Sequence, residues 1–526
     1  MKLLITGGDG MLARAVASAL ASEVSIRLVD IEFTLPPPVG VSTSVGDIRQ
    51  PEFAREVVQD RDAVLHLAPI AVPNGDELNK LEYATRGTYV LFNEAVEAGI
   101  RHFITGSSLD LFDSFPAQWA IDEDWRPQPR PVIEHLCPWL SELSAYEMLR
   151  FQAARGVCLR FGHLITTEAA EALPYDPLWL HMNDAVQGVK CALKAVENTE
   201  WRGWHTYHIT PAGNFAQLRL RNAGRIGYEP VHDFRAQYEA SPKVIAEPRR
   251  WQDIVGAQEP IPSRNIHKVV VFGAGGPVAA VAYEELSSSF QLRLTDVIPI
   301  GDITSYNGRQ SKEAPLPRLL PPPHEFGVVD VCDAEQVDAA CKGMDSIVNC
   351  TVVRPDLEKA FRVNTIGAYN VVKSAVKHKI RRVVHTGPML FNMDREGGDR
   401  FEYDTPGNVP PRPGRNLYAH SKYLGQEICK VFATYYGLEI PALYYCQFLN
   451  ADSTTQSINF SVTWTDSARA IRRAIELPTL PSPFEPTLIQ ADMPHGMISN
   501  AHAKQLLGWQ PRDDYEVRWQ DNEYEG

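Results

Sequence analysis

The sequence repeats itself once, and this repeat constrains the fold more than any other feature. The first twenty residues, MKLLITGGDGMLARAVASAL, match HKVVVFGAGGPVAAVAYEEL from His267 at an offset of 266. Later matches follow in the same order, for example AVEAGIRHFITGSS from Ala95 with AVKHKIRRVVHTGP from Ala375 at an offset of 280. Self-similarity over this length indicates two related domains in tandem.

The length of the chain and its apolar content agree with two globular domains. There are 526 residues, of which 44% are hydrophobic, and this is enough for two separate cores. We predict a first domain over residues 1–235, a linker over 236–265 and a second domain over 266–526. The linker has mixed charge, several prolines and no clear periodicity, as is typical of a connector.

Charge and cysteine usage exclude several classes of function. The formal net charge is −14 and no run of Lys or Arg occurs, which predicts neither nucleic acid nor an anionic membrane as partner. No apolar stretch reaches the ~20 residues of a membrane helix. The eight cysteines are scattered without metal-binding spacing, which predicts reduced thiols and no metal site. We therefore expect a cytoplasmic protein that acts on a small molecule.

Each half opens with an apolar strand, then glycines, then a helix. Both glycine segments follow the pattern G-x-x-G-x-x-A, with Gly7 and Gly10 in the first half and Gly273 and Gly276 in the second. Glycine lets a phosphate group approach the backbone N–H groups at a helix N-terminus, where the helix dipole favours negative charge. Any tight strand-to-helix turn also favours glycine, so the pattern alone is weak evidence for a phosphate site.

An acidic residue after the second strand makes the interpretation more specific. Asp30 follows Gly7 by 23 residues, and Asp296 follows Gly273 by the same spacing. A carboxylate there can accept hydrogen bonds from adenosine ribose hydroxyls and would repel the 2′-phosphate of NADP. The alternative is an exposed aspartate at a strand end. The shared spacing favours NAD as cofactor over NADP.

These patterns together predict the fold class. Apolar strands alternate with helices in both halves, and each half carries the phosphate-binding turn at its start. We expect an α/β protein with two tandem Rossmann-type doubly wound parallel sheets. Each sheet is expected to carry a small C-terminal substrate lobe.

The second half carries a candidate catalytic pair. Tyr418 and Lys422 are four residues apart on a predicted helix, NLYAHSKYLGQE, so their side chains lie on one face. Oxidation of a secondary alcohol needs a base for the hydroxyl proton and a charge that lowers the pKa of that base. On most helices such a pair lies on the surface without function, which is the competing interpretation.

Several of these motifs together resemble a known family. The sequence is similar to the extended short-chain dehydrogenase/reductases, the NAD-dependent epimerase/dehydratase family, and each half is most similar to uronate dehydrogenase-like members. The motifs are T-G-x-x-G-x-x-A over residues 6–13, Asp47-Ile48, Asn364-Thr365-x-Gly367 and Tyr418-x-x-x-Lys422. The resemblance implies that Tyr418 is the base, while Lys422 lowers its pKa and holds the ribose. It also places two dipeptides beside the adenine, namely Asp47-Ile48 and Asp330-Val331.

The second half departs from the family pattern at one position. Members usually have a Ser or Thr that donates a hydrogen bond to the substrate oxygen. The aligned position here is Pro388, which carries no donor. Thr386, two residues earlier, is the candidate replacement.

The first half departs at the catalytic pair itself. At an offset of 280, Tyr418 corresponds to Pro138 and Lys422 to Glu142. Tyr146 and Arg150 keep the four-residue spacing but lie eight residues too late, ~12 Å along a helix. The first half is therefore predicted to be degenerate, and the chemistry is assigned to the second half.

Two functions of different classes follow. The first is an NAD-dependent oxidoreductase, epimerase or dehydratase that acts on a sugar, uronate or nucleotide-sugar. The second is a non-catalytic pseudoenzyme, a scaffold or sensor that binds NAD. In either case the halves are expected to pair within the chain, with 84–99 and 139–153 against 364–379 and 418–434, and a further homo-oligomer is left open. Asp184 and Asp466 are expected to cap helices of the substrate lobes.

Overall fold

The computed structural model of the chain divides into two compact units, Met1–Gln258 and Glu259–Gly526. The division falls inside the predicted linker, of which only residues 261–265 are described. The structure describes the following ranges: 1–70, 76–116, 119–173, 175–198, 200–211, 218–234, 261–306, 314–389, 409–451, 461–492 and 498–512.

The first unit is built on a seven-stranded sheet in which all neighbouring strands run parallel, in the order β3-β2-β1-β4-β5-β6-β9. A separate pair, β7 and β8, forms a small parallel sheet beside it. The strands are β1 Lys2–Thr6, β2 Ser25–Asp30, β3 Ser42–Val45, β4 Ala63–His66, β5 His102–Ser108, β6 Arg155–Phe161, β7 His163–Ile165, β8 Trp179–His181 and β9 Gly203–Ile209.

The second unit repeats this topology. Its main sheet has the order β12-β11-β10-β13-β14-β15-β18, again parallel throughout, and β16 pairs with β17. The strands are β10 Lys268–Phe272, β11 Gln291–Asp296, β12 Glu325–Val328, β13 Ser346–Asn349, β14 Arg382–Pro388, β15 Ile440–Tyr445, β16 Gln447–Leu449, β17 Ser461–Thr463 and β18 Phe484–Leu488.

Helices connect the parallel strands in both units. In the first unit they are Met11–Leu20, Pro51–Val58, Glu77–Glu82, Thr88–Glu97, Ile133–Leu149, Thr167–Glu171 and Met182–Glu197. In the second they are Pro277–Leu286, Ala334–Cys341, Leu357–Phe361, Gly367–Lys377, Leu417–Tyr436, Trp464–Glu476 and Ala501–Leu507. Each unit also has one π-helical turn at equivalent positions, Tyr83–Gly87 and Arg362–Ile366.

The strands read as continuous apolar runs because helices cover both faces of a parallel sheet. In β1, Leu3, Leu4 and Ile5 are fully buried, and in β10 residues 269–272 are fully buried as well. The predicted fold class is therefore confirmed: two tandem Rossmann-type parallel sheets, with the small paired strands in the segment predicted for each substrate lobe. No helix in the described part of the chain is long and apolar enough to cross a membrane.

The strand order determines where a ligand crevice opens in each unit. Starting from β10, the chain first adds strands on one side, β11 and β12, and then crosses to add β13 and β14 on the other. A crevice opens at the carboxyl ends of the strands where the order reverses, and this is where open α/β sheets bind ligands. The carboxyl ends of β10 and β13 therefore frame the site of the second unit, and those of β1 and β4 frame its counterpart in the first.

Candidate functional site

The glycine turn of the second unit forms the base of a cleft. The cleft has a volume of about 610 Å³, and Gly273, Gly276 and Asp296 line it. Gly273 has a φ of +76°, and a Cβ there would lie 3.0 Å from backbone atoms of Thr351. Only glycine adopts this conformation without strain and lets the turn pass so close to the end of β13. Gly276 precedes the helix Pro277–Leu286 as its N-cap.

The carboxylate of Asp296 is fixed against this turn. Its Oδ2 atom accepts a hydrogen bond from the Gly275 backbone N–H at 2.8 Å, and its Oδ1 atom accepts one from Ile298 at 3.2 Å. A carboxylate oxygen can accept more than one hydrogen bond, so acceptor capacity remains beside the cleft. A Cβ on Gly275 would lie 2.9 Å from Asp296 Oδ2. The sequence interpretation missed Gly275, although it stands between the two glycines of the motif.

Asp330 and Val331 also line the cleft, just after β12. Asp330 Oδ1 accepts a hydrogen bond from the Cys332 backbone N–H at 2.8 Å. The Val331 carbonyl accepts one from Asn370 Nδ2 at 2.9 Å. The structure thus brings the predicted cofactor residues of the second half together around one cleft, which also takes in Cys350 and residues 351–353.

Lys422 reaches the floor of the same cleft. It lies on the helix Leu417–Tyr436, and its side chain is almost completely buried. The ammonium donates hydrogen bonds to the carbonyls of Thr351 at 2.7 Å and Thr386 at 3.2 Å. Burial lowers the pKa of Lys422 to about 8 because a charged ammonium is poorly solvated there.

Tyr418 lies one turn earlier on this helix and is partly exposed. The Arg354 guanidinium carbon lies 5.2 Å from the centroid of its ring. Burial raises the pKa of the Tyr418 phenol, and the charge and hydrogen bond of Arg354 offset part of that rise. The structure shows Arg354 in contact with the Tyr418 ring, and the role of Lys422 implied by the resemblance stays a prediction. Arg354 was not singled out from the sequence, because nothing in its local pattern marks it.

Thr386 does not offer a free donor. It lies in β14, and its hydroxyl donates a hydrogen bond to the Asn349 carbonyl at 3.1 Å. A hydroxyl has one proton to donate, so Thr386 cannot donate to a substrate without breaking this bond. Pro388 ends the same strand and has no donor. The prediction that Thr386 supplies the missing hydrogen bond is therefore not supported by its contacts.

Asn364 ties the loop after β13 to the helix of the Tyr/Lys pair. Its Nδ2 atom donates to the Val353 carbonyl at 2.8 Å and to Ser421 Oγ at 3.0 Å. Its Oδ1 atom accepts a hydrogen bond from the Val353 backbone N–H at 3.2 Å. Asn364 lies in the π-helical turn Arg362–Ile366, and π-helical turns occur frequently at functional sites. This side chain fixes the residue next to Arg354.

The close packing of these elements depends on Gly425. A Cβ at this position would lie 2.0 Å from the backbone carbonyl oxygen of Asn364. At an exposed position inside a helix, replacing glycine by alanine stabilises the helix by ~1 kcal/mol. We expect G425A to destabilise the protein instead, by about 1–3 kcal/mol, because overpacking forces the helix away from its neighbour. Urea unfolding of G425A checks this. G301A is the control, since a Cβ on Gly301 meets nothing within 4 Å. A G425A protein as stable as G301A would contradict the close approach.

The first unit keeps the glycine turn and its aspartate. Gly7 has a φ of +68°, and Gly10 is the N-cap of the helix Met11–Leu20. Asp30 Oδ2 accepts a hydrogen bond from the Asp9 backbone N–H at 3.0 Å, which corresponds to the Gly275 contact in the second unit. The same backbone arrangement therefore occurs twice.

The predicted adenine side of the first unit is different. Arg49 binds Asp47 through both carboxylate oxygens, at 3.0 and 2.7 Å, and also donates to Asn79 Oδ1 at 2.7 Å. The residue equivalent to Arg49 in the second unit is Cys332, a residue without a cationic side chain, whose backbone N–H donates to Asp330 Oδ1. Ile48 is fully buried. Asp47 is thus paired within its own unit, in contrast to Asp330.

The first unit has lost the Tyr/Lys pair, as the alignment predicts. Pro138 lies inside the helix Ile133–Leu149. Glu142, at the lysine position, is buried and forms an ion pair with Arg160, with contacts of 3.1 and 2.5 Å. Tyr146 packs edge-on against Trp204, and the Arg150 guanidinium lies over its ring. None of these contacts provides a phenol beside a buried lysine.

Asp184 and Asp466 do not cap their helices. The N-caps are His181 and Thr463, so the capping expectation is wrong. Asp184 accepts hydrogen bonds from the Val231 and His232 backbone N–H groups, and Asp466 accepts one from Arg512. Each aspartate therefore holds the closing segment of its own unit, a tertiary contact that local spacing could not show.

Comparisons with protein families give one match in each half. Residues 269–459 match the NAD dependent epimerase/dehydratase family. Residues 4–133 match the 3-beta hydroxysteroid dehydrogenase/isomerase family. A curated relative is the L-arabinose 1-dehydrogenase (NAD(P)(+)) of Haloferax volcanii. It is 26% identical over 269 residues, which cover 47% of this chain and 97% of the relative.

Solved structures with a similar fold include two enzymes whose names concern uronates. Glucuronic acid dehydrogenase from Chromohalobacter salexigens is 19% identical with a TM-score of 0.41, over 50% of this chain and 90% of its own. Uronate dehydrogenase from Agrobacterium tumefaciens is 23% identical with a TM-score of 0.39, over 47% of this chain and 85% of its own. Each covers about half of this chain.

Proposed function

We propose that the chain is a tandem of two extended short-chain dehydrogenase/reductase domains and that its second domain is an NAD-dependent enzyme that oxidises or epimerises a sugar or uronate. The match of residues 269–459 supports the reaction class. The sugar class is supported by the name of the curated relative, a dehydrogenase of L-arabinose. The substrate itself is a subject for experiment.

The cleft of the second domain fits a dinucleotide. Gly273 and Gly275 leave a cradle that a Cβ would fill, and the N-terminus of the helix Pro277–Leu286 adjoins it. That helix end favours a pyrophosphate. The Asp296 carboxylate beside the turn suits ribose hydroxyls and would repel a 2′-phosphate. Asp330 and Val331 line the cleft on the side proposed for the adenine.

The observation that carries the proposal is the placement of Lys422. Its ammonium donates to the carbonyl of Thr351, a residue that lines the cleft together with Gly273. Tyr418 lies one helical turn earlier on the same helix. Bound NAD would supply the acceptor for a hydride. Tyr418, as a phenolate, would accept the proton of the substrate hydroxyl, and Lys422 would hold the ribose and keep positive charge near the site.

The first domain has a different role in this proposal. It keeps Gly7, Gly10 and Asp30 in the geometry of a dinucleotide site, and binding there through Asp47 and Ile48 remains a prediction. Asp47 is paired with Arg49, and a buried Glu142 occupies the lysine position. We therefore assign turnover to the second domain alone.

The test is turnover by the purified full chain. A panel of aldoses, uronic acids and nucleotide sugars is incubated with NAD or NADP, and the reduced cofactor is followed by absorbance. Sugar products are followed separately by chromatography to detect epimerisation. We expect at least one sugar or uronate to react and NAD to be used better than NADP, because Asp296 repels the extra phosphate.

Two results would contradict the proposal in different ways. Tight binding of NAD without turnover on the whole panel would favour the non-catalytic pseudoenzyme. Preference for NADP would contradict the role given to Asp296, while leaving the reaction class intact.

A further inference from the structure

Neither Thr386 nor Pro388, the two described residues at the position where family members carry a hydroxyl, offers a hydrogen-bond donor to the substrate. An alcohol that loses its proton to Tyr418 develops negative charge on oxygen, and donors aimed at that oxygen lower the barrier. Thr386 uses its proton on a backbone carbonyl, and Pro388 has none. The ammonium of Lys422 donates to the carbonyls of Thr351, which lines the cleft, and Thr386. The donor must therefore come from a residue other than these two.

Arg354 lies where such a donor is needed. It follows β13 in the loop that lines the cleft through residues 350–353. Its guanidinium carbon is 5.2 Å from the Tyr418 ring centroid, and its charge lowers the pKa of the phenol. During proton transfer the substrate oxygen lies within ~2.5–3.0 Å of the phenol oxygen. A guanidinium this close to the Tyr418 ring is therefore close to the substrate oxygen as well.

The loop that carries Arg354 is held in position from both sides. Asn364 makes two hydrogen bonds to the backbone of Val353 and a third to Ser421, on the helix of Tyr418. Arg354 is therefore fixed relative to Tyr418 by its neighbour in sequence, although its own side chain is exposed. Asn364 acts as a positioning residue in this arrangement.

We propose that Arg354 is a catalytic residue that replaces the missing hydroxyl donor and hydrogen-bonds the reacting oxygen of the substrate beside Tyr418. The inference rests on the proposed function. A guanidinium has five N–H donors in a rigid planar fork and stays charged at all working pH values. One N–H can therefore contact the phenol while another contacts the substrate oxygen.

The reaction balances without any further reagent. The substrate C–H bond breaks and its electron pair leaves as a hydride to NAD⁺, which becomes NADH. The O–H bond breaks, its proton passes to the Tyr418 phenolate, and the C–O bond becomes a carbonyl. Arg354 transfers no proton. It stabilises the oxygen while negative charge is present and favours the ionised form of the phenol, whose pKa is raised by burial.

The test combines kinetics with a titration that needs no turnover. We expect R354A to lower kcat by about 10²-fold, with a smaller change in KM, and added guanidinium ion to restore part of the activity. R354K should recover less than the wild-type rate, because lysine keeps the charge but lacks the fork. R318Q is the matched control, since Arg318 is exposed and paired with Glu284 away from the cleft.

The second readout is the pKa of the phenol in the protein without cofactor. Ultraviolet titration of a protein minus the same protein with Y418F isolates this group. We expect R354A to raise the pKa of Tyr418 above the wild-type value, and R318Q to leave it unchanged. An R354A protein with wild-type kcat or an unchanged phenol pKa overturns the inference while the proposed function stands. A wild-type protein inactive on the whole panel overturns the proposed function and this inference together.

Discussion

Replacing Tyr418 by phenylalanine is expected to abolish turnover and to leave dinucleotide binding intact. The change removes only the phenol oxygen, which is the proposed base. Loss of a positioned general base lowers rates by about 10²–10⁴-fold. Binding should persist because the glycine turn and Asp296 are untouched. Turnover measured by NADH formation and binding measured by calorimetry on the same preparation check both statements.

The first domain supplies a matched control for this experiment. Tyr146 also stands four residues before a basic residue, Arg150, whose guanidinium lies over its ring. Y146F removes a tyrosine hydroxyl whose ring also lies near an arginine, but in the domain that lacks the buried lysine. We expect Y146F to keep wild-type turnover. If Y418F kept its activity and Y146F lost it, the assignment of chemistry to the second domain would be wrong.

Replacing Lys422 by methionine should have the next largest effect. The ammonium is buried at the cleft floor and bonded to Thr351 and Thr386. In the proposed mechanism it holds the ribose and supplies positive charge. We expect K422M to lower kcat by about 10²–10³-fold, within the range of a lost acid–base partner, and to weaken NAD binding. Both are measured as for Y418F.

The same substitution should change how stability depends on pH. Burial lowers the pKa of Lys422 to about 8 in the folded protein, from an ordinary value of 10.5. Below pH 8 the lysine is protonated in both the folded and the unfolded protein. Burial of its charge then lowers the free energy of unfolding by the full amount. Between about pH 8 and 10.5 the unfolded chain binds more protons than the folded one, so stability rises with pH. Relative to K422M, the wild-type protein should gain about 3 kcal/mol across this range, at ~1.36 kcal/mol per pKa unit.

Urea unfolding at several pH values measures this difference, with K430M as control. Lys430 lies on the same helix but is partly exposed and near Glu427. If K430M gave the same pH dependence as K422M, loss of any lysine charge would explain the result. A flat difference between wild type and K422M would show that Lys422 is not buried as a charged group.

The sequence predicted the fold and the main groups of the site for a specific reason. Two aligned halves, each with a glycine turn and an aspartate at the same spacing, depend only on local order along the chain. The structure shows the same strand order twice and the same aspartate contact at each turn. The helix of Tyr418 and Lys422 was also predicted from local periodicity.

Contacts between segments that are far apart in the sequence could not be predicted from local order along the chain. Arg354 and Tyr418 are 64 residues apart and meet only because the fold brings the loop after β13 to the start of the helix Leu417–Tyr436. The ion pair of Glu142 and Arg160 and the bonds of Asp184 to residues 231 and 232 likewise join separate elements. No spacing rule marks these partners.

The sequence alone determined that the chain contains two glycine turns before helices and one tyrosine–lysine helix, because these follow from residue type and spacing within short segments. The tertiary structure alone decided which charges surround each group. It placed Arg354 against the phenol, gave the Lys422 ammonium two carbonyl acceptors and used the Thr386 proton within the sheet. Hydrogen bonds and charges act over a few ångströms in space, and only folding brings residues from different strands and helices within that distance.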